Sequence, residues 1–160
     1  MKSVSKILNW KRTNILIAVI LILLIGLNFY GPYTNKFYFF KLGNYVLPLL
    51  SIVHFLYMYV IWFKMTEEEL PDPKMRNLEY GLYALMFFYI FKVYDLFTIF
   101  DSASQYQQHL ISSVFEPMVI ISITLYGFLL VLTLFSFWQR KHFIGGYNFD
   151  NYNDNLNIWQ

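Results

Sequence analysis

The chain has 160 residues and a net charge of +2; 58% of its residues are apolar and only 14% are charged. Globular domains average about 25% charged residues, because a soluble surface needs polar cover. The composition therefore excludes a soluble domain and a disordered chain, and the small net charge excludes a basic nucleic-acid-binding protein. The sequence contains no cysteine, which excludes disulfides and thiolate metal sites. The class of protein that remains is an integral membrane protein.

Four segments are long and apolar enough to cross a bilayer core about 30 Å thick, which requires about 20 helical residues. Their connections are short, which favours antiparallel neighbouring helices. We therefore predict an all-α integral membrane protein whose four transmembrane helices form an up-down-up-down bundle within residues 1–142. Residues 143–160 form a polar tail rich in asparagine and aromatic residues. The predicted spans are approximately residues 13–30, 45–63, 78–100 and 117–138.

The basic residues outside these spans are distributed unevenly. Nine lie before the first span, in the loop after the second span and after the fourth span, whereas only Lys36 and Lys41 lie on the other side. Positively charged residues are retained on the cytoplasmic side of a membrane. We expect both termini to face the cytoplasm in a bacterial membrane, or the matrix in an organelle inner membrane.

The connection between the third and fourth spans has an amphipathic pattern. Ser102 and Gln105 have the spacing of a capping box, and Tyr106, Leu110 and Val114 then recur at helical spacing. The pattern predicts a short amphipathic helix at the outer membrane interface. The alternative is that the third span simply extends into water.

Ionisable residues inside the spans are the strongest functional signal, because a charge at the bilayer centre costs about 2.5–3.5 kcal/mol. Lys92 and Asp95 are three residues apart and share a face of the third helix. His54 lies near the middle of the second span. We count 1.5 Å of rise per residue and expect every helix to place a polar group at the membrane midplane or in the outer half of the membrane. The predicted polar layer consists of Lys92, Asp95, His54, Asn28, Ser51, Ser122 and Thr124.

Two interpretations of this layer are open. In the first, Lys92 and Asp95 neutralise each other and the layer holds helices or subunits together. In the second, the layer is an ion or proton path. We favour the first, because the sequence shows no acid deep in the inner half to continue a relay.

No cofactor, metal site or catalytic residue is predicted. A haem held between helices needs two histidines, and only His54 lies inside a span. The sequence also contains no phosphate loop and no nucleophile with the spacing of a catalytic triad.

The tail carries apolar anchors behind a flexible break at Gly145 and Gly146. Such anchors among asparagines are suited to docking on a partner protein. The alternative is an accident of composition, since single exposed apolar residues are common. The candidate docking residues are Tyr147, Phe149, Tyr152 and Trp159.

The expected function is that of a small non-catalytic accessory or scaffold subunit of a multi-subunit complex in an energy-transducing membrane. Its partners would be other membrane subunits or further copies of itself. The alternative is a small oligomeric channel, or an ion or proton transporter that uses the polar layer. A membrane enzyme of unknown type is the third possibility.

The charge asymmetry yields a prediction about topology. A single cysteine introduced in place of Lys36 should react with an impermeant reagent added to intact cells, whereas one in place of Asp72 should not, because the positively charged flanks stay inside. The parent chain has no cysteine and serves as the blank. Labelling of position 72 from outside would show that the predicted orientation is wrong.

Overall fold

The computed structural model describes residues 9–103 and 112–147. These residues form four long helices, and each helix is long and apolar enough to cross a membrane. The prediction of an all-helical fold whose four long apolar helices fit a membrane bundle is therefore confirmed. The helices are α1 (Trp10–Asn28), α2 (Val46–Thr66), α3 (Pro73–Ala103) and α4 (Phe115–Phe143).

All four helices extend beyond an end of the predicted spans, and α3 and α4 extend furthest. Helix α3 has 31 residues, so it is about 46 Å long, and it continues past both ends of the predicted span 78–100. Helix α4 continues five residues past the predicted end at 138. Hydropathy detects only the part of a helix that lies in the hydrocarbon core of the bilayer. It therefore does not detect polar turns that continue the helix beyond that core.

A small hairpin follows α1. Strand β1 (Tyr30–Gly31) pairs in antiparallel fashion with β2 (Lys36–Phe37), and a short 3-10 helix (Leu42–Tyr45) leads into α2. Glycine at position 31 makes room for the Tyr38 ring, because a Cβ there would lie 2.5 Å from that ring and would force it to shift. The sequence analysis did not predict this hairpin.

A turn stabilised by charged side chains joins α2 to α3. The Lys64 ammonium lies 2.7 Å from a Glu69 carboxylate oxygen and 3.0 Å from one of Asp72. The Met75 N–H donates to the other Asp72 oxygen at 2.7 Å, which places Asp72 at the amino-terminal cap of α3. Burial raises the pKa of Asp72, but these two donors outweigh it and hold that pKa below its usual value.

The helices pack as a closed ring, in which α1 contacts α2 and α4 while α3 contacts the same two helices. Their inward faces form one apolar core that includes Leu21, Ile61, Leu82 and Leu129. Large apolar side chains also cover the outside of the helices. Such an outside is expected where lipid, rather than water, surrounds the bundle.

Most of the predicted interfacial helix falls on residues 104–111, which lie outside the described residues, as does the tail from 148 to 160. Ser102 and Ala103 belong to α3, and the chain is described again from Ser112. The interfacial helix therefore stays a prediction.

Candidate functional site

Four of the seven residues of the predicted polar layer line one cavity of about 320 Å³, namely Asn28, Lys92, Asp95 and Ser122. The cavity lies where the hairpin meets the ends of the helices, and we call this the hairpin end of the bundle. Measured along α3 from Phe88 at its centre, Lys92 lies about 6 Å and Asp95 about 10 Å toward this end.

Lys92 and Asp95 do not form the expected ion pair. Both side chains are half-buried, and among the described residues no salt bridge within 4.0 Å joins them. The Lys92 ammonium lies instead 5.8 Å above the Phe88 ring. This distance is at the long end for a cation–π interaction. The two charges therefore face the cavity without neutralising each other by contact.

Ser51 and His54 lie in the core, away from the cavity lining, and both are fully buried. The His54 Nδ1 atom lies 3.2 Å from the Tyr89 hydroxyl, and the Ser51 hydroxyl donates to the Leu47 carbonyl at 2.8 Å. Within the described ranges, His54 Nε2 has no hydrogen-bond partner.

Thr124 does not join the other polar residues of the layer. Its side chain is exposed on α4, and its hydroxyl donates to the Ile120 carbonyl of the same helix at 2.8 Å. Ser122 also bonds within its helix, to the Met118 carbonyl, but it reaches the cavity because it lies half a turn away from Thr124 on α4.

A second polar cluster lies at the opposite end of the bundle, and the sequence analysis missed it. An Arg140 guanidinium nitrogen of α4 donates to a Glu79 carboxylate oxygen of α3 at 2.6 Å, and both side chains are less than one-tenth exposed. The Tyr147 hydroxyl donates to the other Glu79 oxygen. Arg140 also donates to the Gly145 carbonyl at 3.1 Å and lies 4.2 Å from the Tyr147 ring centre. We call Glu79, Arg140 and Tyr147 the inner triad.

The inner triad is electrostatically self-consistent. Burial, reinforced by the Glu79 carboxylate, raises the pKa of Tyr147, so its hydroxyl keeps the proton that it donates. Glu79 lies about 14 Å from the centre of α3, near the margin of the hydrocarbon, where an unpaired carboxylate would be costly. The sequence signal for Glu79 was an acid within the predicted span 78–100, about three and a half turns before Lys92.

Among the candidate docking residues, only Tyr147 lies in the described part of the chain. Phe149, Tyr152 and Trp159 lie outside it. The Tyr147 hydroxyl is already engaged by Glu79 within the same chain. The structure therefore places Tyr147 at the point where the tail leaves the bundle.

Across residues 9–103 and 112–147, no group of three histidine, aspartate or glutamate side chains is arranged to hold a metal ion. Comparison of the chain with protein-family models, with curated proteins and with solved structures gives no significant match.

The inner triad yields a prediction about stability. Glu79→Gln should lower the free energy of unfolding by about 3–5 kcal/mol, because it leaves the buried Arg140 charge uncompensated. The double change Glu79→Leu with Arg140→Met should cost clearly less, since it removes both charges. Unfolding in mixed detergent micelles, followed by circular dichroism, measures both.

The matched control is Glu116→Gln, which neutralises an exposed acid at the start of α4 and should change stability by less than about 0.5 kcal/mol. A double variant that is as unstable as Glu79→Gln would show that the ion pair does not hold α3 against α4.

Proposed function

We propose that the chain is a non-catalytic accessory or scaffold subunit of a multi-subunit complex in an energy-transducing membrane. The observation that carries this proposal is an exposed aromatic face on α3. Of the four helices, α3 is the least buried by the rest of the chain. A helix that crosses a bilayer yet packs so little against its own bundle has surface available for another protein.

Five large aromatic residues recur along this face at intervals of three, four or seven positions, which is the spacing of a helix-packing seam. More than half of each side chain is exposed, up to 72% for Phe87. We call this set the α3 stripe. It consists of Tyr80, Phe87, Phe91, Tyr94 and Phe97.

The Tyr94 hydroxyl favours a protein neighbour over lipid. The Cα atom of Tyr94 lies about 9 Å along the helix from the centre of α3, and its hydroxyl has no hydrogen-bond partner among the described residues. Hydrocarbon offers no acceptor to a hydroxyl at this depth, so such groups are normally satisfied by other helices. A partner subunit, or a second copy of this chain, supplies the missing acceptor.

We further propose an up-down-up-down topology with both termini on the cytoplasmic or matrix side, in a bacterial cytoplasmic membrane or an organelle inner membrane. The nine-to-two distribution of basic residues supports this orientation. The contact of Glu79 in the first turns of α3 with Arg140 near the end of α4 supports antiparallel neighbours. In the same proposal, Phe149, Tyr152 and Trp159 of the tail dock on a partner on the inner side.

Photo-crosslinking tests the subunit proposal. Benzoylphenylalanine in place of Phe91 should form a covalent adduct of defined mass with a second protein chain in the native membrane. The matched control is benzoylphenylalanine in place of Phe128, which is similarly exposed, 57% against 61%, on a different helix. Two differently tagged copies distinguish self-association from a different partner. Crosslinks to lipid alone at both positions would contradict the proposal.

A second candidate function is proton transfer, and the arrangement of polar groups in the core favours it. Tyr126 lines the cavity beside Asp95, and its ring centre lies 6.1 Å from that of Tyr89. Tyr89 contacts His54, and Tyr57 follows one turn later on α2. Glu79 is the acid near the inner end that the sequence analysis did not find.

Proton flux tests this second candidate. In proteoliposomes with a pH-sensitive dye, His54→Phe should abolish a flux that the parent protein shows, because the replacement keeps a ring but removes both nitrogens. Thr124→Val, on the exposed side of α4, should leave the flux unchanged. Absence of flux in the correctly folded parent would remove this candidate and leave the subunit proposal intact.

A further inference from the structure

We infer that the cavity at the hairpin end binds a phosphoethanolamine group, that is, a phosphate joined to a primary ammonium. The group belongs either to a membrane lipid headgroup or to the free compound. The cavity volume of about 320 Å³ is at the small end of the range for ligand sites. This inference is independent of what packs against the α3 stripe.

The charges of the lining fit both ends of such a zwitterion. Lys41 and Lys92 provide two ammonium groups, and Asp95 provides one carboxylate. Two lysines are suited to the several oxygens of one phosphate, because each binds as a compact point charge. The carboxylate is suited to accept the N–H groups of a primary ammonium.

The lining groups have capacity left for a ligand. Lys92 and Asp95 form no ion pair with each other in the described chain. Tyr126 is only 4% exposed, yet its hydroxyl has no hydrogen-bond partner among the described residues. A ligand with one anionic and one cationic end would satisfy all three.

The position of the cavity favours a headgroup-sized ligand over an ion. Its lining combines helix residues such as Leu96 with residues of the hairpin and the connection to α2, such as Tyr30 and Lys41. The cavity therefore extends from the level where the helices end and headgroups begin inward to Lys92 and Asp95. The flexible Lys92 stem can carry its ammonium toward that level.

Lipid retention tests the inference without any variant. The parent protein is reconstituted with phosphatidylglycerol and equal amounts of phosphatidylethanolamine and phosphatidylcholine, then extracted and examined by native mass spectrometry. It should retain phosphatidylethanolamine over phosphatidylcholine, because choline has no N–H group to donate to Asp95. Binding of free phosphoethanolamine, measured in parallel by calorimetry, identifies the source of the group.

The variants test which residue binds the ammonium end of the ligand and which binds the phosphate end. Asp95→Asn should reduce the ethanolamine-to-choline preference about tenfold or more, the effect of losing one charge-assisted hydrogen bond. Lys92→Met should reduce retention of both lipids alike. Thr124→Val is the matched control, because this residue lies on α4 near the depth of Ser122 but faces away from the cavity, and it should change neither value.

Each outcome decides the inference. Preferential retention of phosphatidylethanolamine supports the lipid source, and saturable binding of free phosphoethanolamine alone supports the soluble source. Equal retention of the two lipids by the parent protein, together with no binding of free phosphoethanolamine, would overturn the inference. A preference that survives unchanged in a folded Asp95→Asn variant would overturn the assignment to this cavity.

Discussion

The buried ion pair between Glu79 and Arg140 constrains how α3 and α4 meet at the end of the bundle opposite the hairpin. It joins the beginning of α3 to the end of α4 with both side chains almost completely buried. In a medium of low dielectric constant, two such charges are tolerated only together, so the pair fixes one register between the helices. Tyr147 completes the arrangement by satisfying the second carboxylate oxygen.

The charged side chains are paired at one end of the bundle and are not paired with each other at the other end. At the inner triad every charge has a close partner of opposite sign or a hydrogen bond, and the result is a rigid contact. At the hairpin end, Lys92 and Asp95 share a cavity without contact. Charged groups inside a membrane protein that are not paired with each other can interact with water, with an ion or with a ligand. Glu79 and Arg140 are thus paired at one end of the bundle, whereas Lys92 and Asp95 at the other end are not paired with each other.

Hydropathy and charge predicted the four spanning helices, because lipid imposes a strict requirement on length and composition. The same signals predicted that Asn28, Lys92, Asp95 and Ser122 lie at similar depth, and these residues do meet in one cavity. The depth of a residue does not determine in which direction its side chain points around the helix axis. Thr124 was therefore grouped with these residues although it faces outward. Glu79 was overlooked, because an acid in the first turns of a span resembles an ordinary polar flank until Arg140 is placed against it.

The anchoring of Tyr147 limits how far the tail can extend. Because this residue is held on Glu79 and Arg140, the chain that follows starts from a fixed point at the margin of the bundle. Trp159 is twelve residues further along the sequence, and an extended chain covers at most about 3.3–3.6 Å per residue. Any surface that Trp159 touches must therefore lie within about 40 Å of the inner triad. The contact of Tyr147 with Glu79 therefore sets an upper limit on the distance from the bundle that the C-terminal tail can reach.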